Sequence, residues 1–284
     1  MEVHATETSE SSHDLNYQKL FFEDPLELVN NYDMIAGEMD STPNRINGMI
    51  FNHDLSRYRY QLAQQFNPPE GDRYYTPLDK PEPQFPSITG VLGADPESRN
   101  KLQAWRMRIG EQEAEEITKK SSELGTQVHE ALEKLVLNQE VPEDDLGQGL
   151  PYYQGLKKHL THYVDKLYAA EVMQFSEELQ IAGQVDLICE WEGKLVVVDH
   201  KNWKKVYPEK IAKAILQTAF HAICFHEANG CWPEVLICTV GRPDGKAEFY
   251  AYRVTEPLIE KARGKIMMLR QHYYEWKNEP DLLH

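Results

Sequence analysis

Two aspartates and a lysine occur in this chain at a spacing that suits metal chemistry. Asp186 closes the stretch Gly183-Gln184-Val185-Asp186, and Asp199 and Lys201 follow an apolar run as Asp199-His200-Lys201. Glu192-Gly193, between the two stretches, has the composition of a tight hairpin turn. Counting back from that turn brings Asp186 opposite Asp199, with Cβ atoms about 4.5–5.5 Å apart. Two carboxylates so close repel unless a proton or a cation lies between them, so the pattern predicts a divalent-cation site.

The two-residue period of a strand assigns the faces of this predicted hairpin. Lys201 shares a face with Asp199, whereas His200 points the other way with Val196 and Val198. The faces are otherwise apolar near the turn, so we expect a hairpin covered on both sides with an open polar end. The alternative is an ordinary amphipathic hairpin with two unrelated surface aspartates. A lone D-x-K would not exclude it, but G-x-V-D, a turn, an apolar strand and D-x-K together favour the site.

Two further motifs narrow the interpretation to a family. Gly125-Thr126-Gln127-Val128-His129 resembles a G-T-x-V-H motif on a helix, and Gln217-Thr218-Ala219-Phe220-His221 resembles a Q-x-x-x-Y motif. With the aspartate hairpin, and with similarity in 85–92 and 102–111, the chain resembles the PD-(D/E)XK nuclease superfamily. Within it the resemblance is to the RecB-like exonuclease branch, similar to the mitochondrial genome maintenance exonucleases and their phage relatives. It covers about residues 74 to 284.

The chain departs from that family's pattern at two places. D-F-K-T is usual where this chain has Asp199-His200-Lys201-Asn202, and tyrosine is usual at His221. Neither change removes an expected metal ligand or the lysine. The second puts in doubt any role carried over to His221.

The resemblance implies a role for each site residue. Asp186 and Asp199, with the backbone carbonyl of His200, would chelate one or two Mg²⁺ or Mn²⁺ ions, which prefer oxygen ligands. His129 would be an additional ligand or complete a second metal position. Lys201 would orient the attacking water and stabilise charge on a phosphate, with Gln217 beside it as a catalytic residue.

His129 and Glu171 each have competing interpretations. A single histidine on a helix is more often an exposed or satisfied residue, but within the predicted helix 121–138 Glu133 lies four residues on and could hold the ring. Glu171 is expected at the end of a helix from Tyr152 to Ala170, where relatives often carry a glutamate, as an outer metal or water contact. Glu177 and Glu178 compete for that role.

Basic and aromatic residues cluster near the predicted site and suit single-stranded nucleic acid, in which bases stack and phosphates need cations. One helix carries a stripe at helical spacing that includes Gln217. The alternatives are a solvated helix face, ordinary surface lysines and buried tryptophans. The predicted nucleic-acid contacts are Trp105, Arg106, Arg108, Trp203, Lys204, Lys205, Lys210, Lys213 and His221.

Charge is distributed unevenly along the chain. The net charge is −16, which runs against a nucleic-acid partner, but residues 1–80 hold 14 acidic and 6 basic residues and so carry half of that excess. Residues 1–73 are therefore predicted to be an acidic, partly ordered extension that docks on the nuclease or recruits a protein partner, and residues 74–284 the nuclease domain. No apolar run approaches the roughly 18 residues of a membrane span.

The amino-terminal residues resemble neither a secretory signal nor a transit peptide, which predicts a cytoplasmic protein, in the host cytoplasm if it is phage-encoded. Four cysteines raise the alternative of an iron–sulfur cluster, which some RecB-like nucleases carry. Cys189 and Cys238 fall in apolar runs and there is no C-x-x-C, so we expect buried thiols and no cluster.

The order of elements predicts an α/β fold: a mixed β-sheet flanked by α-helices, the restriction-endonuclease-like core that the resemblance implies, with an amino-terminal extension. The expected function is a metal-dependent DNA exonuclease acting on single-stranded or frayed ends in phage or bacterial replication, recombination or repair. An endonuclease on the same core is the alternative enzyme. A non-catalytic nucleic-acid- or partner-binding protein is the alternative from another class.

Overall fold

A computed structural model describes residues 50–66, 73–80, 82 and 84–277. The predictions made for residues 1–49, including most of the acidic extension, lie outside the described residues. In the described part of the chain no helix is long and apolar enough to cross a bilayer.

The described residues form nine named strands and six α-helices. The strands are β1 (Asn52–His53), β2 (Ala63–Phe66), β3 (Tyr74–Pro77), β4 (Phe85–Pro86), β5 (Val164–Ser176), β6 (Ile181–Trp191), β7 (Lys194–Asn202), β8 (Val235–Gly241) and β9 (Ala247–Arg253). The helices are α1 (Ile88–Gly93), α2 (Pro96–Ile109), α3 (Glu111–Val136), α4 (Leu150–Tyr163), α5 (Pro208–Asn229) and α6 (Glu256–Lys277), with a 3-10 helix at Glu143–Gly149 before α4.

Six strands make the main sheet, in the order β1-β5-β6-β7-β8-β9, and β2, β3 and β4 make a small second sheet. The main sheet is mixed, because β1 runs parallel to β5 and β7 parallel to β8 while the other neighbours are antiparallel. Alternate residues of β6 and β7, among them Leu187 and Val198, join one apolar cluster with α3 and α4. The intervening residues Ile188 and Val197 are also fully buried, so both faces are covered. The predicted α/β architecture is confirmed.

The β6–β7 hairpin has the register that the sequence predicts. Trp191 pairs with Lys194 across Glu192-Gly193, and pairing continues to Leu187 opposite Val198. Both turn residues have positive φ, 49° and 74°, as a two-residue hairpin turn requires. Asp186 and Asp199 each lie one residue beyond the last of these pairs, where the two strands begin to separate.

The prediction of a helix from Tyr152 to Ala170 is wrong for residues 164–170. Helix α4 ends at Tyr163, and a 13-residue strand, β5, follows directly. β5 pairs with β6 along most of its length. Valine, tyrosine and phenylalanine favour strands, and the long edge of β6 needs a partner for its backbone groups, so the tertiary pairing outweighs the local helical pattern.

The helices before the site also begin and end differently from expectation. The helix predicted over 121–138 begins earlier than expected, because the chain breaks at Gly110 and then runs as one helix from Glu111 to Val136. Gly110 has φ 93°, which a side-chain-bearing residue rarely adopts, so the break falls at the glycine.

Residues 50–66 pack on the same sheet as the rest of the described chain. Phe51 is buried in the apolar core. Asn138, at the end of α3 with φ 57°, accepts hydrogen bonds from the backbone N–H groups of Ile50 and Phe51 at 2.9 and 3.0 Å. Further along, the Asn229 side chain both accepts from the Arg59 N–H and donates to the Arg59 carbonyl, each at 2.9 Å. This segment is therefore attached to the ends of α3 and α5.

Gly183, in the G-x-V-D stretch, lies where α1 and α5 approach β6 most closely. A Cβ atom at this position would lie 2.7 Å from Ile88 Cγ2 and 3.2 Å from His221 Cε1. We expect Gly183→Ala to destabilise the protein by about 1–3 kcal/mol, because the core must shift to admit the methyl group. Urea unfolding measures the effect.

Gly264, in α6, supplies the matched control for this substitution. No described heavy atom lies within 4 Å of a Cβ built there, so Gly264→Ala should stabilise the protein by about 0.5–1 kcal/mol through helix propensity. Equal effects of the two substitutions would contradict the close approach at Gly183.

Candidate metal centre

Four elements bring ionisable side chains together at the end of the β6–β7 hairpin away from its turn. This polar end was expected to be open, but Asp186 and Asp199 are buried there. Helix α3 contributes His129, β5 contributes Glu171, β6 contributes Asp186, and β7 contributes Asp199 and Lys201. One ligand atom from each of His129, Glu171 and Asp186 lies within 4.8 Å of the others. The site thus forms within the main sheet, where β6 and β7 stop pairing while each continues to pair with its other neighbour.

His129 is held between two carboxylates and a backbone carbonyl. Its Nδ1 atom lies 3.5 Å from a carboxylate oxygen of Glu171 and 3.5 Å from one of Asp186. Its Nε2–H donates to the backbone carbonyl of His200 at 3.0 Å, so Nδ1 is the nitrogen presented to the acidic pair. Burial alone would lower the pKa of His129, but Asp186 and Glu171 outweigh burial and raise it well above its ordinary value. Glu133, expected to hold the ring, is replaced in this role by Glu171 and Asp186.

Glu171 lies in the interior of β5 instead of at a helix end, and it contacts His129 directly. Its φ of 51° places a non-glycine residue in the left-handed region, a conformation that costs of order 1–3 kcal/mol. Burial raises the pKa of Glu171 to about 6, with Asp186 adding to the rise and His129 opposing it. The competitors Glu177 and Glu178 instead pair with Lys80 and Arg263, outside this cluster.

Asp186 is fixed from two sides. Its Oδ2 atom accepts the backbone N–H of His200 at 2.6 Å, and Oδ1 faces the His129 ring. Burial would raise the pKa of Asp186, but the charge and hydrogen bond of His129 outweigh it and hold the carboxyl well below its usual range. Asp186 therefore stays ionised at every pH at which the protein would be assayed.

Asp199 and Lys201 form an ion pair on one face of β7, with Asp199 buried and Lys201 half-buried. Lys201 Nζ donates to Asp199 Oδ1 at 2.7 Å and to Gln217 Oε1, on α5, at 3.2 Å. Burial would lower the pKa of Lys201, but Asp199 and Asp186 raise it, so the ammonium stays charged. Burial raises the pKa of Asp199 to about 6 against the opposing charge of Lys201. Gln217 thus fixes the position of the ammonium.

His200 points into the core from the opposite face of β7, as the strand period predicts. Its Nδ1 atom lies 2.6 Å from the hydroxyl oxygen of Thr239 on β8, and burial lowers its pKa to about 4, so the ring is neutral. Only the backbone of His200 faces the site, through the N–H that reaches Asp186 and the carbonyl that reaches His129.

His221 does not lie on a surface that nucleic acid could reach, which corrects the stripe expected on α5. Its side chain is 1% exposed, and its Nδ1 atom accepts a hydrogen bond from Gln174 Nε2 at 3.1 Å. Burial lowers its pKa to about 3. His221 faces the core because α5 packs against β6 at Gly183. The sequence of α5 by itself does not indicate that contact.

The other predicted nucleic-acid contacts fall in two groups. Trp105 is half-buried on α2, where Arg108 is exposed and Arg106 forms an ion pair with Glu111. The second group follows β7 closely, with Trp203 half-buried and Lys204, Lys205, Lys210 and Lys213 exposed. Of the four thiols, Cys189, Cys224 and Cys238 are buried and Cys231 is exposed.

The donor set at this centre fits a divalent cation. Carboxylate oxygens suit hard cations and an imidazole nitrogen suits transition metals, so His129, Glu171 and Asp186 offer a mixed set. Ionised carboxylates at this distance repel one another. The charge of Asp186 therefore adds to burial in raising the pKa of Glu171. A bound cation relieves that repulsion.

Comparison with known proteins gives consistent matches. Residues 99–263 match the family model described as the PD-(D/E)XK nuclease superfamily. The chain is 28% identical over 152 residues to mouse mitochondrial genome maintenance exonuclease 1, covering 49% of this chain and 44% of that protein. It is 30% identical over 131 residues to the human protein of the same name, covering 44% of this chain and 38% of that protein. The chain thus spans less than half the length of these curated relatives.

Proposed function

Because the chain belongs to the PD-(D/E)XK nuclease superfamily, we propose that it is a Mg²⁺- or Mn²⁺-dependent DNA exonuclease that hydrolyses phosphodiester bonds at single-stranded or frayed ends. The observation that carries the proposal is the convergence of His129, Glu171 and Asp186 next to the Asp199–Lys201 pair. Two relatives whose names describe an exonuclease support the end-directed activity. A role in phage or bacterial DNA replication, recombination or repair belongs to the same proposal.

The residues that would hold the metal are Asp186, Asp199, His129, Glu171 and the backbone carbonyl of His200. Glu171 joins this set because it contacts His129 at 3.5 Å, the same separation as Asp186. When bound, the ion lowers the pKa of a ligand water and neutralises phosphate oxygens. The chain's part is to give up the proton on His129, whose pKa is raised, so that the imidazole can become a ligand.

Lys201 acts on the reacting phosphate as a fixed positive charge. Its ammonium is held by Asp199 and Gln217, so it need not reorganise when charge develops on the phosphate. The same group can orient an attacking water through one of its donors. No residue of this centre needs to form a covalent bond to the substrate.

Two groups of cations and aromatic rings would bind the nucleic acid. Lys204, Lys205, Lys210 and Lys213 follow the catalytic strand, and Trp105 with Arg108 lies on α2. Lysines neutralise backbone phosphates, and aromatic rings favour unpaired bases, which supports a single-stranded substrate. A protein partner bound through residues 1–73 stays a prediction.

Digestion of end-labelled linear and circular single-stranded DNA tests the proposal. With Mg²⁺ or Mn²⁺ we expect the linear strand to be shortened from an end, the circle to stay intact, and EDTA to abolish cleavage. Cleavage of the circle would indicate an endonuclease on the same core. Full activity in EDTA, or the absence of cleavage and of divalent-ion binding by calorimetry, would overturn the proposed function.

A further inference from the structure

The segment between Lys201 and the first turn of α5 carries two aromatic rings arranged around one ammonium group. Lys210 Nζ lies 5.5 Å from the centroid of the Trp203 ring and 5.6 Å from that of the Tyr207 ring. Each distance is within the range of a cation–π contact. The two rings and the cation therefore form one cluster, which we call the Tyr207 cluster: Trp203, Tyr207 and Lys210.

The backbone fixes this cluster in relation to the catalytic strand. The Trp203 N–H donates to the Gly241 carbonyl at 3.2 Å, which ties the segment to the end of β8. The N–H of Lys210 donates to the Tyr207 carbonyl at 3.0 Å within the first turn of α5. Trp203 follows Lys201 by two residues, and Gln217, which accepts from Lys201, lies two turns further along α5. The cluster thus begins two residues after Lys201 and ends on the helix that carries Gln217.

The cluster has ring surface to offer and positive charge around it. Tyr207 is 43% exposed, although burial of an aromatic side chain away from water is favourable. Its side chain makes no capping hydrogen bond to the described residues of α5. Lys204 and Lys205 are exposed in the same segment. An aromatic surface next to several lysines suits a planar base joined to phosphates.

We propose that Tyr207, with Trp203, stacks on the base of one unpaired nucleotide next to the phosphate at Lys201, while Lys210 contacts the adjoining backbone. This inference rests on the proposed function and names the group that its substrate must present. In a duplex both faces of an internal base are covered by neighbouring pairs, so only an unpaired or terminal nucleotide can use this surface. The cluster selects unpaired DNA without reading its sequence.

A series of thymidine oligonucleotides, each with one abasic residue at a successive position, tests the inference in single-turnover cleavage with Mn²⁺. When the abasic residue occupies the position of the stacked base, we expect the wild-type cleavage rate to fall on the order of tenfold. The free energy of stacking one base on an aromatic ring corresponds to a change of that order. Tyr207→Leu should cleave the intact oligonucleotide slower by a similar factor and should not respond to the abasic residue. Tyr207→Phe, which keeps the ring, should behave as the wild type does.

Trp276 provides a matched control, because it is 41% exposed and also lies beside cations, Arg99 and Lys277 at 4.2 and 4.7 Å, but on α6. Trp276→Leu should leave the abasic profile unchanged. An abasic profile in Tyr207→Leu identical to that of the wild type would overturn the inference while leaving the nuclease proposal intact.

Binding of labelled oligothymidine in EDTA, followed by fluorescence anisotropy, separates the two proposals if the wild type does not cleave. Weaker binding by Tyr207→Leu, on the order of tenfold, together with equal binding of a fully abasic strand by both proteins, would support the stacking surface without nuclease activity. Equal binding of oligothymidine by both proteins would overturn the surface as well.

Discussion

Lys201→Met should lower the rate of the chemical step on the order of 10²-fold or more, with Mn²⁺ binding retained. The ammonium is the positive charge nearest to Asp199, and Gln217 holds it in place from α5. Methionine keeps the length and packing of the side chain but loses its charge. His129, Glu171 and Asp186 make no hydrogen bond to Lys201, so these three ligands should stay in place although Asp199 loses its partner. Single-turnover cleavage measures the rate, and calorimetry measures the metal.

Lys194→Met is the matched control, because Lys194 begins the same strand at the opposite end, beside the hairpin turn. It should cleave at the wild-type rate. Undiminished cleavage by Lys201→Met would show that the lysine takes no part in the mechanism. Loss of both Mn²⁺ binding and cleavage would show that Lys201 only maintains the structure of the site.

Glu171→Gln should have the second-largest effect, weakening Mn²⁺ binding at least tenfold while stabilising the metal-free protein. The amide has nearly the size of the carboxyl group but neither repels Asp186 nor offers a charged ligand. With the pKa of Glu171 at about 6 against an ordinary 4.5, the buried carboxylate costs on the order of 2 kcal/mol at pH 8. Calorimetric titration measures the binding, and urea unfolding in EDTA measures the stability.

The sign of the pH dependence follows from the raised pKa. The folded state holds a proton on Glu171 more tightly than the unfolded state does, so the cost is complete above about pH 6 and disappears below about pH 4.5. The stability difference between Glu171→Gln and the wild type should therefore shrink as the pH falls through this window. Metal binding by the wild type should weaken through this window as protons compete for Glu171, and the weakening should begin at higher pH because the pKa of His129 is also raised.

Glu133→Gln separates the two glutamates that could hold His129. Glu133 lies one turn along α3 from the histidine, but the contacts of the ring are with Glu171 and Asp186. Glu133→Gln should leave both Mn²⁺ affinity and the pH profile of stability near those of the wild type. Weaker Mn²⁺ binding and a changed pH profile in Glu133→Gln, with neither in Glu171→Gln, would show that Glu133 holds His129.

The catalytic hairpin could be predicted from sequence because its information is local. A two-residue turn sets the register, and register with a period of two sets every face of the two strands. The faces of Asp199, His200 and Lys201, and the pairing from Trp191 with Lys194 to Leu187 with Val198, follow from these rules alone.

The surroundings of the hairpin could not be predicted in this way. Strand β5 has a sequence compatible with the end of a helix, and only the open edge of β6 decides its conformation. Glu171 lies in this strand with an unusual φ of 51°, and its carboxylate contacts His129 at 3.5 Å. His221 carries a polar side chain on a helix, yet the absent side chain of Gly183 lets α5 approach and bury it.

By itself the sequence determined that two carboxylates and a lysine meet at one end of a hairpin, because turn length and strand period are properties of neighbouring residues. The tertiary structure alone decided that the carboxylates of Glu171 and Asp186 face His129 Nδ1 and that the Gln217 side chain accepts a hydrogen bond from Lys201. It also left Tyr207 exposed next to Lys210. The contacts of His129 and of Lys201 join residues far apart in the chain. They depend on which surfaces the helices and β5 must cover, and this balance of burial and backbone pairing is settled only when the whole sheet assembles.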